Sequence, residues 1–144
     1  RDDVESRGLG DVYKRQDILY KFKHFCYNIC IIFIGENCMD NCIFCKIING
    51  DFNTEFVYEN EYAVVFKDIN PKADTHLLVV PRIHVESLNE LNDEILLGKL
   101  MMTVKEAAKA AGLKSYRTVI NTGKEAGQEV FHLHIHILAG SIKL

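Results

Sequence analysis

Residues 131–137 run Phe-His-Leu-His-Ile-His-Ile, so three histidines recur at every second position. In an extended chain, alternation puts His132, His134 and His136 on one face at spacings of roughly 6.5–7 Å. Phe131, Leu133, Ile135 and Ile137 fall on the other. A lone histidine on a strand reads as a satisfied sheet residue, but three opposite a uniformly apolar face are hard to explain by packing. Imidazole titrates near neutral pH and serves as nucleophile, acid or metal ligand. A second cluster, Cys42-Ile-Phe-Cys45, has the spacing of a zinc or redox pair. A thioredoxin-type reading requires a following βαβ pattern, which this order of elements lacks.

These residues need a scaffold, and the pattern predicts one. Residues 42–49 fit a short helix stopped by Gly50. Thr54 to Glu59 and Glu61 to Ile69 read as strands joined at Glu59-Asn60. Thr75 to Val80 starts the next strand, before Pro81. Ser87 to Glu90 has capping-box spacing for a short turn. Asn92 is placed to cap a long helix, with Asp93 and Glu94 at its positive end. Leu96, Leu100, Val104, Ala107 and Ala111 form its apolar stripe, and Gly112 is its natural stop. Ser115 to Asn121 and Val130 to Leu138 complete the strands. Strands in runs with one long helix predict an α+β domain: an antiparallel sheet of about five strands covered by the long helix, plus a short N-terminal helix.

The first 38 residues read as foreign to this domain. Arg1 to Gln16 is charged and aperiodic, and its DVYKRQ stretch resembles translated sequencing-adapter DNA. Residues 17–38 are crowded with residues of AT-rich codons, and Gly35-Glu36 is encodable as a ribosome-binding sequence ahead of Met39. The expectation is a non-native leader over 1–38 and a domain over 39–144. A docked strand or arm is the next reading. Phe25 to Ile34 has the length of a signal-peptide core, but no small-residue cleavage site follows. Starting at Met39 reduces five cysteines to the Cys42–Cys45 pair, which predicts a reducing, cytoplasmic setting.

Composition narrows the function classes. The 144 residues suit one domain, and 48% hydrophobic with 26% charged residues exclude wholesale disorder. Twenty acids against seventeen bases give a net charge of −3 and no global reason to bind nucleic acid or an anionic membrane. No apolar run reaches the roughly 18 residues of a membrane span.

His132-Leu-His134-Ile-His136-Ile-Leu138 resembles the signature of the histidine triad family of nucleotide hydrolases and transferases. CIFCKIINGD, VFKDINPKADTHLLVVPRIH and INTGKEAGQEVFHLHIHILAG extend the likeness over essentially all of 39–144. Ile137-Leu-Ala-Gly140 resembles the ending of the Hint branch rather than that of the dinucleoside polyphosphate hydrolases.

The resemblance implies a purine nucleoside phosphoramidate hydrolase. His134 would attack the α-phosphorus to form a nucleotidyl-histidine, and His136 would contact phosphate oxygens. The backbone of Gly127, Gln128 and Glu129 would donate N–H groups around the phosphate. Glu129 stands where some relatives carry a serine near the leaving group. Asp68 would hold the ribose hydroxyls, with Asn121 on ribose or phosphate. Phe44, Ile47, Phe66 and Ile69 would line the base pocket, and His76 would support the triad. Read without the family, Gly127 is a turn residue, Asp68 a strand-end cap, and the four apolar residues core. Cys42, Cys45, His84 and His132 would hold a structural zinc ion, making His132 a ligand rather than a base. The resemblance also implies a homodimer joined through the long helix and adjacent strand. The alternatives are dinucleoside polyphosphate hydrolysis and a zinc-stabilised nucleotide-binding module with little turnover.

Overall fold

The computed structural model describes residues 41–142, so the expectations for the leader over 1–38 lie outside the described residues. In chain order the elements are α1 (Ile43–Ile48), β1 (Tyr58–Glu59), β2 (Ala63–Lys67), β3 (Ala73–Pro81), α2 (Glu94–Ala110), β4 (Arg117–Val119) and β5 (Ile135–Ile142). Single 3-10 turns occur at Leu88–Glu90 and Lys124–Ala126. The five strands form one sheet, ordered β1-β2-β3-β5-β4, and every neighbouring pair is antiparallel.

Alternation sorts the core onto the two sheet faces. Val64, Phe66, Leu78 and Val80 point to one face and pack against Phe44 and Ile47 of α1. Val65, Leu77, Val79, Ile135 and Ile137 point to the other and are fully buried, as are Leu96, Leu100, Val104 and Ala107 of α2. The register places His136 beside Leu78, and His76 beside Leu138. Those histidines therefore lie on the α1 face.

Local chemistry sets the boundaries. Cys42 is the N-cap of α1, its sulfur accepting from Cys45 N–H at 3.5 Å. The β1–β2 turn is held by Asn60, whose Oδ1 accepts from the amides of Tyr62 and Ala63 at 2.9 and 3.0 Å. Asp93, not the expected Asn92, caps α2, its carboxylate accepting from Ile95 and Leu96 N–H at 3.1 Å each. An ionised acceptor at the positive helix end is favoured there.

Three strands are shorter than expected. The run beginning at Thr54 enters the sheet only at Tyr58, β2 stops at Lys67 rather than Ile69, and β4 spans Arg117–Val119 only. The last strand begins at Ile135 instead of Val130 and continues to Ile142. Its would-be partner β3 ends at Pro81, which has no N–H to donate. Residues 130–134 bend instead toward the segment after it, where Leu133 N–H donates to Val85 O at 2.7 Å. The bend leaves Phe131, expected to pack beneath the long helix, 48% exposed.

Candidate functional site

A cleft of about 220 Å³ opens on the α1 face of the sheet. His134 and His136 stand at its base with His76 beside them. Phe44, Ile47 and Phe66 form its apolar wall, and Phe44 and Phe66 meet edge to face at 5.7 Å. Asp68, Asn121, Gly127 and Glu129 complete the expected lining. Ile69 belongs to the rim. Because β2 stops two residues earlier, its side chain is 86% exposed rather than enclosed.

Hydrogen bonds assign the protons. His134 Nδ1 lies 2.7 Å from the His132 carbonyl oxygen. A carbonyl can only accept, so Nδ1 carries hydrogen and the neutral ring keeps its lone pair on Nε2. The ring is buried and edge-on to Phe44, with centroids 5.1 Å apart. At His76, Nδ1 accepts from Lys72 N–H at 3.0 Å, which places the ring hydrogen on Nε2. That Nε2–H faces His136 Nδ1 at 2.8 Å and Asp68 Oδ2 at 3.4 Å. His136 therefore has its own hydrogen on Nε2; Asn121 Nδ2, also a donor, lies 3.5 Å away, so the Asn121 side chain can pair with that hydrogen only by turning its amide oxygen toward it. Burial, then the neighbouring His134 and His76, push His136 down to about 4, so the ring is neutral at physiological pH. Burial also lowers His76.

Asp68, His76 and His136 bring three potential ligand atoms together. With His76 Nδ1 taken by a backbone N–H and Nε2 protonated, this trio reads as a hydrogen-bond chain. Asp68 is further engaged by Asn70, whose N–H donates to Oδ1 at 2.9 Å.

The backbone donors differ from expectation. Gly127 takes φ +94°, a left-handed conformation suited to glycine. Its N–H donates to Lys124 O, and that of Gln128 donates to Gly123 O, at 3.0 and 3.1 Å. Both are spent closing the 3-10 turn, which leaves Glu129 N–H without a partner among the described residues. The Gln128 side chain is structural. It is buried, accepts from Gly123 N–H, and donates to the carbonyls of Glu86 and Val130. Lys67 and Lys72 also line the cleft and were not singled out from sequence. Lys72 follows Pro71 at the β2–β3 turn, and no periodicity marks it.

Behind the cleft, Cys42, Cys45, His84 and His132 converge, with one ligand atom from each lying within 4.8 Å of the others. His132 is fully buried and its Nε2–H donates to Pro81 O at 2.9 Å. Its Nδ1 lone pair therefore points at Cys42 Sγ (3.4 Å), Cys45 Sγ (3.6 Å) and His84 Nδ1 (3.2 Å). Burial pushes this ring down to about 4, which keeps it neutral and able to ligate. Zinc bonds of ~2.0–2.3 Å in a tetrahedron imply ligand separations of ~3.3–3.8 Å, so the donor set fits such an ion. These four residues could hold a metal ion.

Residues 49–142 match the family model described as the HIT domain. Protein HitA of Neisseria gonorrhoeae is 55% identical over 103 residues, covering 69% of this chain and 96% of that protein. A histidine triad protein from Clostridium difficile superposes with a TM-score of 0.68 at 42% identity, covering 76% of this chain and 96% of the other. A HIT family hydrolase from Legionella pneumophila superposes with a TM-score of 0.66 at 41% identity, covering 70% and 94%. With two of its three alternating histidines at one cleft of an antiparallel sheet and the third in the cysteine–histidine cluster behind it, the chain belongs to the histidine triad family.

Proposed function

We propose that the protein is a nucleotide hydrolase that cleaves purine nucleoside 5′-phosphoramidates through a nucleotidyl-histidine intermediate. The observation that carries this reading is the 2.7 Å bond from His134 Nδ1 to the His132 carbonyl. It frees Nε2 as the nucleophile in a cleft with an apolar wall on one side and two lysines on the other. The hydrolase named from Legionella pneumophila supports the reaction class.

In the first half-reaction His134 Nε2 attacks the α-phosphorus. The P–N bond breaks, its electron pair passes to the amine, and the amine takes up one proton. The ring becomes a cation whose Nδ1–H remains on the His132 carbonyl. His136 directs its Nε2–H at the phosphate oxygens, as does the Glu129 amide. Water then attacks phosphorus, the P–Nε2 bond breaks toward the imidazole, and the water releases one proton. The net change consumes one water and yields the amine and a nucleoside monophosphate. The base would lie against Phe44, Ile47 and Phe66, with Asp68 and Asn121 toward the ribose.

Cys42, Cys45, His84 and His132 would hold zinc, whose chemistry in a closed four-ligand site is structural cross-linking. The His132 ring is itself anchored by its Nε2–H on the Pro81 carbonyl, and the His132 carbonyl accepts from His134 Nδ1–H.

The protein is further proposed to act as a homodimer through α2 and β4. β4 is an edge strand with exposed Arg117 and Thr118, and α2 exposes Met101 and Met102. No helix among the described residues is long and apolar enough to cross a membrane.

Brief exposure to an adenosine 5′-phosphoramidate, followed by acid quenching and mass spectrometry, tests the reaction. An adenylyl adduct on His134, with turnover exceeding that of a diadenosine polyphosphate, is the expected result. His134→Asn should lose the adduct and at least about 10⁴-fold in kcat. Binding with neither adduct nor turnover would establish a nucleotide-binding module instead.

A further inference from the structure

Cys42 is the N-cap of α1 and Cys45 follows one helical turn later. A disulfide needs Cα atoms roughly 4.4–6.8 Å apart, a span that one turn of ~5.4 Å pitch satisfies. The two sulfurs lie within 4.8 Å of each other, and Cys42 Sγ is turned toward Cys45, accepting from its N–H at 3.5 Å. Both are free thiols in the structure. Their surroundings differ. Cys45 is buried, whereas Cys42 is partly exposed and lines, with His84, a cavity of about 360 Å³. The cluster thus has one side that small solutes can reach, while His132 closes the other.

The pair also touches the cleft at two points. Phe44, between the two cysteines on α1, forms part of the apolar wall. Both sulfurs meet the ring of His132, whose carbonyl accepts from His134. We propose that Cys42 and Cys45 are a redox-active dithiol, which small hydroperoxides oxidise to a disulfide with release of the metal ion. The Cys42 sulfur attacks one peroxide oxygen; an S–O bond forms, the O–O bond breaks, and the departing hydroxide takes up a proton as water. The Cys45 sulfur then attacks that of Cys42; the S–S bond forms, the S–O bond breaks, and a second hydroxide leaves as water. The sulfurs lose two electrons and the peroxide gains two. A disulfide offers no thiolate, so His84 and His132 alone remain of the four ligands, too few for a tetrahedral site. The inference concerns the cluster behind the cleft and is independent of which nucleotide the cleft takes.

Hydrogen peroxide tests it on the full, zinc-loaded chain carrying Cys26→Ser, Cys30→Ser and Cys38→Ser, so that only this pair reports. A chromophoric chelator should record about one zinc released per chain as both thiols disappear. Mass spectrometry should find the peptide spanning 42 and 45 lighter by two hydrogens. A dithiol reductant with added zinc should restore thiols and metal together. Cys45→Ser should stop at a Cys42 sulfenic acid, trapped by dimedone, and Cys42→Ser should slow loss of the remaining thiol by about tenfold. Zinc and thiols that survive peroxide, zinc released without the Cys42–Cys45 bond, or a chain that takes up no zinc would each overturn the proposal. None of these readouts involves nucleotide turnover, so their failure leaves the phosphoramidase reading standing.

Discussion

His76 Nε2 stands 2.8 Å from His136 Nδ1, joining the β3 and β5 histidines by one hydrogen bond. Its direction is set from outside the triad, because Lys72 N–H occupies His76 Nδ1 at 3.0 Å. A backbone amide of the β2–β3 turn thus determines that His136 presents N–H, not a lone pair, beside His134. A histidine in the reverse tautomer would face the phosphate oxygens with a lone pair.

His76→Ala is therefore expected to reduce kcat by about tenfold to a hundredfold with little change in KM, by freeing the tautomer and orientation of His136. A nitrogen-15 NMR spectrum of the imidazoles checks the cause. In the wild type the His136 ring should be a single Nε2–H tautomer, and in the variant a mixture. A loss of activity with the His136 tautomer unchanged would assign His76 a different role.

Cys42→Ser and Cys45→Ser each remove one of the four residues around His132 that could hold a metal ion. Metal analysis should show the bound zinc lost, and the melting temperature should fall by about 10 °C or more. Because His132 also supplies the carbonyl that holds His134, activity should fall with metal content even though neither cysteine lines the cleft. Unchanged metal content in both variants would refute the ligand set.

Acid should destabilise the fold through His136. Its folded value of about 4 lies below the ordinary 6.5, the largest cause being burial. Between these values the unfolded chain binds more protons, so stability is lost as pH falls from about 6.5 to about 4 and levels off below. Above about 6.5 the group contributes no slope. Denaturant midpoints from pH 7.5 to 4 should therefore fall more steeply for wild type than for His136→Asn, with other titrating groups common to both. Parallel curves would contradict a half-buried, neutral His136.

The proposed homodimer is open to the same kind of test. Met101 and Met102 are exposed on α2, at 41% and 49% of their surface. Met101→Glu with Met102→Glu should halve the mass measured by light scattering while the far-ultraviolet circular dichroism stays the same. A mass unaffected by both charges would overturn a dimer built on this face of α2.

The pattern of residue types determined much of this protein. Period-two alternation over 131–137 placed three imidazoles opposite an apolar face, and Leu96, Leu100, Val104 and Ala107 marked the helix that covers the sheet's other side. Those signals are local, and burial in the folded chain follows them at every apolar position but Phe131. The likeness of residues 42–49 and 81–84 to zinc-binding relatives brought four ligands together on paper, and they converge in space. What tertiary structure alone decided concerns partners. Whether Gly127 and Gln128 amides are free depends on Lys124 and Gly123 carbonyls, and the fate of the Gln128 side chain depends on Glu86, 42 residues away. Asp93 rather than Asn92 caps α2, and residues 130–134 leave the sheet because β3 ends at a proline. Even the hydrogen on His136 was invisible in its own neighbourhood of sequence, since it is fixed by an amide 64 positions earlier through a ring 60 positions earlier. Residue type and spacing set which groups face a cleft, whereas hydrogen bonds between distant segments set which of their atoms remain available.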